Sequence, residues 1–191
     1  MPELVLASTS PRRSELLARL GIRFRVVPPD YEEIIDPRVP AADLAQALAS
    51  GKARSISQPG SVVVGADTFI VVDDEYLGKP IDATDARRQL LRLSGTVHHI
   101  VTGVAIVATN GAVETLVSDS RIRMRKMSEE EIVRYVATRE PLDKAGSYAL
   151  QGMGSAFVER VEGDVTGIIG LPLAPLSSVL ERHGFRLFSD H

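Results

Sequence analysis

Two adjacent arginines, Arg12 and Arg13, follow two hydroxyl residues, Ser8 and Ser10, in the stretch LASTSPRRSELLARLG at residues 6–21. Ser10 suits an N-cap and Pro11 the first helical position, so both arginines fall in the first turn of a helix. That end carries unpaired N–H groups and partial positive charge, which disfavours each cation by about 0.3–1 kcal/mol. A bound anion reverses the sign, because N–H groups, hydroxyls and forked guanidiniums all suit phosphate oxygens. The plainer alternative is a capped helix with two solvated arginines. No G-x-x-x-x-G-K-[ST] stretch is present, so such a site is not a P-loop.

Asp67 interrupts the β-forming run VVVGADTFIVV, with Gly65 and Ala66 before it and Thr68 after it. A carboxylate in a core strand is costly unless it is paired, bound to a metal or open to a cleft. In a cleft it could orient a water or hold a divalent cation, the alternative being a strand-end acid bonded to a turn. Lys79, in LGKP, lies across an acidic turn, and a hairpin there would return it towards the Asp67 end of the strand. Lys52 closes the second helical segment. Each lysine alone reads as solvated; with Arg12, Arg13 and Asp67 they resemble a cation-lined phosphate site facing one carboxylate. Glycines 146, 152 and 154 surround Gln151, too many for a helix, so a structured loop is expected, from which an amide can read a base or sugar edge. An exposed Gln151 on a plain glycine-rich turn is the alternative. Glu32 and Glu33 are loop acids that become metal ligands only if the fold brings them to Asp67. His98 and His99 are neighbours in a strand-like run, so they face opposite ways and cannot share one metal.

The elements that must position these groups alternate between strand and helix. ELVLA (3–7) and FRVVPPDYEE (24–33) read as strands, the second running into a proline-marked loop, and AADLAQALASGKARSI reads as a helix. SVVVGAD and TFIVV read as two strand-like runs closed by an acidic turn at 73–75. TDARRQLLRLSG reads as a helix capped by Thr84 or Asp85 and stopped at Gly95. Asn110-Gly111 predicts a type I′ hairpin turn, and Ser128 with Glu131 predicts a capping box. GSAFVERVEGD reads as a late strand and LAPLSSVLERHG as a final helix. This mixture implies an α/β fold with a mixed sheet rather than a purely parallel one.

A hydrophobic share of 44% in 191 residues supports a packed core in one domain, or in two lobes around a cleft. The net charge of −3 gives no general attraction to nucleic acid or anionic membrane, so phosphate binding must be local. With no cysteine there is no disulfide, thiolate zinc site or cysteine nucleophile. Neither a signal peptide nor a membrane-length apolar run is visible, so a cytoplasmic protein is expected.

LASTSPRRSELL, GADT, LGKP, LSGTVHHIVTGVAI and EPLDKAGSYALQGMGSAFVERVEGD…GLPL together closely resemble the Maf proteins, a family of nucleoside triphosphate pyrophosphatases, from Leu4 to about Leu173. The resemblance implies a single Maf-like domain over 1–191, with an α/β fold like that of the inosine triphosphate pyrophosphatases. It implies hydrolysis between the α and β phosphates of a nucleotide with Mg²⁺ or Mn²⁺, and it allows a homodimer. On this resemblance Asp67 matches the proton acceptor; Ser8, Arg13, Lys52 and Lys79 match residues lining the phosphates. Glu33 matches the loop acid that joins Asp67 at the metal. Arg12, Thr68 and Gln151 match the branch acting on dTTP and UTP. The 7-methyl-GTP branch tends to have an aromatic residue in place of the first arginine and a Gln after the Asp. The remaining alternatives are that same chemistry on 7-methyl-GTP or another modified nucleotide, and a non-catalytic nucleotide-binding regulator of cell division.

Overall fold

The computed structural model describes residues 2–189; Met1, Asp190 and His191, which the expected 1–191 domain includes, lie outside the described residues. In chain order the elements are β1 (Glu3–Ala7), α1 (Pro11–Ala18), β2 (Arg25–Val27), α2 (Ala41–Ser55), β3 (Ser61–Val72), β4 (Glu75–Leu77), α3 (Ala83–Leu93), β5 (Val97–Val107), β6 (Val113–Met124), α4 (Glu129–Ala137), β7 (Val158–Glu162), α5 (Val165–Ile169) and α6 (Leu173–Arg182). Short 3₁₀ turns fill much of the segment between α4 and β7. The strands bond in the order β2-β1-β3-β5-β6-β7, with β4 beside β3. β1 is parallel to β2 and β3, whereas β3–β4 and β6–β7 are antiparallel. The sheet is therefore mixed, as the alternation of elements implied.

Two compact units are formed. The first takes residues up to Thr68, Val101–Ser118 and Asp164 onward; the second takes Phe69–Ile100 and Asp119–Gly163. In the first, β1 is buried on both faces, which explains its unbroken apolar run. Leu4 and Leu6 of β1 and Val62, Val64 and Ala66 of β3 join Leu16 and Leu17 of α1 and Leu176 and Leu180 of α6. Val5, Ala7 and Val63 face the other way, with Ala53 of α2. Because side chains alternate along a strand, Gly65 and Asp67 share the α2 face and Thr68 the α1 face.

In the second unit the Ser128–Glu131 capping box closes the start of α4, and Arg125 holds the Glu131 carboxyl well down, to about 2. Tyr135 meets Phe157 edge-on at 5.1 Å. His98 is fully buried, with Nε2 2.8 Å from the Tyr148 hydroxyl, whereas His99 pairs with Asp119 in partial exposure. The two histidines do face opposite ways.

Several local expectations needed correction. SVVVGAD and TFIVV form one continuous strand. Asp73 and Asp74 then turn the chain with φ of 49° and 61°, the backbone of a type I′ turn. The cap of α3 is Asp82, whose side chain accepts from the Asp85 amide; neither Thr84 nor Asp85 caps it. At the β5–β6 hairpin only Gly111 has positive φ, and both Gly111 N–H → Ala108 O and Ala108 N–H → Ala112 O bonds form. That pattern is a three-residue loop with a glycine bulge, not a type I′ turn. GSAF belongs to a 3₁₀ turn before β7, and the short helix α5 had no expectation against it. Among the described residues no helix is long and apolar enough to cross a membrane.

Candidate active site

Asp67 is buried near the end of the first-unit part of β3. Its Oδ1 accepts from the Thr68 amide at 3.0 Å and lies 3.2 Å from Lys52 Nζ. Arg13 Nη2 stands 4.0 Å away. Its Oδ2 is buried and has no hydrogen-bond partner among the described residues. A buried, unsatisfied carboxylate oxygen is costly, and it marks a place where a water, proton donor or cation is wanted.

Lys52 reaches Asp67 because α2 sits directly on the sheet. A Cβ at Gly65 would lie 2.3 Å from the Ala49 carbonyl, and one at Gly103 of β5 would lie 2.4 Å from the Ala45 carbonyl carbon. Only glycine permits that approach. The Lys52 side chain, which the sequence alone left as solvated, is buried between Asp67 and Glu33, with Nζ 2.7 Å from Glu33 Oε1. Glu33 arrives from the irregular segment after β2, which Tyr31 fixes by laying its ring where a Cβ of Gly51 would be, at 2.2 Å. Both acids therefore contact one ammonium, and a buried ammonium needs such partners.

Arg13 answers for its place in the first turn of α1. Its Nε donates to the Gly170 carbonyl at the C-cap of α5 (3.0 Å), and its Nη2 donates to Thr68 Oγ1 at 3.2 Å. The chain continues: Thr102 Oγ1 donates to the Gly167 carbonyl at 2.8 Å and lies 2.9 Å from Thr68 Oγ1. A hydroxyl has one proton, so Thr102 must accept from Thr68, and the relay has a single direction. Burial holds the Arg13 guanidinium below its ordinary value, against the raising effect of Asp67 and Glu33. Ser8 is buried, and its Oγ accepts from the Ser10 amide at 3.1 Å. Ser10 occupies the N-cap position with no side-chain cap bond, so the α1 amides are not closed by its hydroxyl. Arg12 is half-buried and makes no hydrogen bond or ion pair among the described residues.

Ser8, Arg12, Arg13, Glu33, Lys52, Asp67 and Thr68 all belong to the first unit, and the last five are linked by the contacts above. Lys79 and Gln151 belong to the second. Lys79 follows β4 by two residues and is exposed, and Gln151 is exposed on the glycine-rich turn. Sequence reasoning missed Thr102, whose signal was a lone hydroxyl in the apolar run IVTGVAIV. Among the described residues no group of three or more His, Cys, Asp or Glu forms a metal cage. Asp67 Oδ2 and the partly exposed Glu33 carboxylate nonetheless fit a hard divalent cation, which commonly takes one or two carboxylates and completes its shell with phosphate oxygens.

The fold is that of a HAM1 protein from Coxiella burnetii, whose solved structure superposes with a TM-score of 0.55 at 17% identity, covering 95% of this chain and 100% of that one. The particular family follows from sequence: residues 3–183 match the Maf-like proteins, and the chain belongs to the Maf family. A dTTP/UTP pyrophosphatase of Hahella chejuensis is 46% identical over 98% of this chain and 95% of its own length. That of Anaeromyxobacter dehalogenans strain 2CP-C is 47% identical over 97% and 96%. That of Dictyoglomus turgidum is 45% identical over 97% and 98%.

Proposed function

We propose that this protein is a cytoplasmic nucleoside triphosphate pyrophosphatase acting on dTTP and UTP, with Asp67 as general base. The observation that carries the assignment is the buried, unpartnered Oδ2 of Asp67, on a carboxylate whose other oxygen faces Arg13 and Lys52. The names of relatives sharing some 45–47% of its residues supply the substrate.

In this reading Oδ1 is engaged by Lys52 and the Thr68 amide, which fixes the carboxylate plane and leaves Oδ2 two lone pairs, one to accept a proton and the other to face a cation. A water placed at Oδ2 gives up that proton as its oxygen bonds to the α phosphorus. The bond from that phosphorus to the α–β bridging oxygen breaks, and pyrophosphate leaves with the bridging oxygen. Arg13, held by Gly170 and Thr68, presents its guanidinium to the phosphates without having to reorganise, which is how fixed donors stabilise developing charge. Lys52 and Ser8 add phosphate contacts from the same unit as Asp67, and the resemblance to the family gives Lys79 a phosphate-binding role. Glu33 and Asp67 would hold a divalent ion, Mg²⁺ or Mn²⁺. When bound, that ion neutralises phosphate charge as a Lewis acid. Arg12 and Thr68 are the specificity residues of the first unit, and the resemblance to the family gives Gln151 the reading of the base. Release of pyrophosphate from a panel of nucleoside triphosphates with Mg²⁺ or Mn²⁺ tests the proposal: dTTP and UTP are expected to be cleaved, and cleavage of 7-methyl-GTP alone would move the protein to the other branch.

A further inference from the structure

Gln151 sits on a loop whose backbone is anchored on both sides by one pair of side chains. Glu140 Oε1 accepts from the Tyr135 hydroxyl at 2.8 Å and from the Gly154 amide at 3.0 Å, while Oε2 accepts from the Met153 amide at 3.0 Å. The Tyr135 hydroxyl in turn accepts from the Ala149 amide at 3.3 Å. Residues 149, 153 and 154 are thus tied to the Tyr135–Glu140 pair, and Gln151 lies between them. All of these groups belong to the second unit.

The glycines around Gln151 are there for this approach. A Cβ on Gly152 would fall 2.5–2.7 Å from the Glu140 carboxyl atoms, and one on Gly154 would fall 2.5 Å from the Tyr135 hydroxyl. Glu140 follows α4 and turns back to reach Tyr135 of that helix, because Arg139, just past the C-cap of α4, adopts φ 67° where glycine is usual. A left-handed arginine persists only where the surroundings hold it. Three donors on one carboxylate, one glycine shaped to it, a second shaped to the Tyr135 hydroxyl and one strained residue presenting it form a built clamp.

We infer that Glu140 is a positioning residue for base selection: with Tyr135 it holds the loop so that the Gln151 amide meets the nucleobase at a fixed angle. The inference rests on reading Gln151 as a base-recognising residue and deepens that reading. An amide in place of the carboxylate sets an NH₂ donor against at least one donor of the clamp, so Glu140→Gln loosens the loop at nearly constant shape.

The test compares kcat and KM for UTP and CTP, which share sugar and phosphates and differ in the base, in wild type, Glu140→Gln, Tyr135→Phe and Gln151→Ala. Hydrogen–deuterium exchange at Met153 and Gly154 is followed in the same variants. In Glu140→Gln both amides are expected to exchange faster, with the UTP/CTP ratio of kcat/KM falling about tenfold, the effect of one misaligned hydrogen bond. The loss should lie in KM for UTP rather than in kcat. Tyr135→Phe is expected to lower the ratio two- to threefold, on the same principle, and gives the same reading if Glu140→Gln fails to fold. Unchanged amide exchange, or an unchanged ratio in a variant whose amides do exchange faster, overturns the clamp. A ratio unchanged in Gln151→Ala instead removes the base-recognition reading on which the clamp depends.

Discussion

Lys52→Met and Glu33→Gln probe one ion-pair network: the first removes both arms and the second only the shorter one, and burial rather than contact length should set the losses. Nζ of Lys52 is 2.7 Å from Glu33 but 3.2 Å from Asp67. Side-chain exposure is 46% for Glu33 and only 12% for Asp67 and 7% for Lys52. Water screens the shorter arm, so Glu33→Gln is expected to lose under about 1 kcal/mol. Lys52→Met leaves a buried carboxylate without its nearest cation, a change that costs roughly 3–5 kcal/mol at buried pairs. Arg13, 4.0 Å from Asp67 Oδ1, supplies part of the missing charge, which puts the expected loss near the lower figure, about 3 kcal/mol on that scale. Urea unfolding at neutral pH, with equal denaturant dependence in all three proteins, reads both values. A Glu33→Gln loss equal to or greater than that of Lys52→Met would refute the reasoning from burial.

Other residues yield further expectations. Gly65→Ala forces a Cβ against the Ala49 carbonyl at 2.3 Å; it should destabilise by about 1–3 kcal/mol and lower turnover by displacing Lys52, both measured on the same preparation. Thr102→Val breaks the relay, leaving the Thr68 hydroxyl proton without its acceptor and the Gly167 carbonyl with the Gly170 amide as its remaining donor, so about 1–3 kcal/mol should be lost, with Thr102→Ser restoring most of it. Burial of His98 pushes its imidazole down from 6.5 to about 4. The unfolded chain therefore binds the extra proton first: this contribution is whole above pH 6.5 and is lost as pH falls towards 4. It amounts to on the order of 3 kcal/mol. Unfolding measured across that range should show a steeper fall in wild type than in His98→Gln.

Local signals carried further than distant ones. The first-turn arginines, the acid inside β3 and the glycine-rich loop were all legible in short stretches, because helix caps, strand alternation and glycine tolerance act over a few residues. The partners of Arg13 were not. Two of the acceptors in its network are backbone carbonyls, at Gly170 and Gly167, and a carbonyl has no letter in the sequence. Lys52 read as surface because helical spacing says which face a residue takes but not how deeply the helix settles; Gly65 and Gly103 decide that depth. The short helix α5 escaped because five residues carry too little periodicity. Asp82 was passed over as the α3 cap because Thr84 and Asp85 offered equally good chemistry two and three residues later.

The most direct measurement is pyrophosphate release from dTTP and UTP by wild type and Asp67→Asn, with nucleotide affinity taken by calorimetry on the same samples. With Asp67 as the base, wild type releases pyrophosphate from both, and Asp67→Asn loses turnover about 10²-fold or more while affinity stays within a few-fold. Near-normal turnover in Asp67→Asn, or binding without release in wild type, would contradict it.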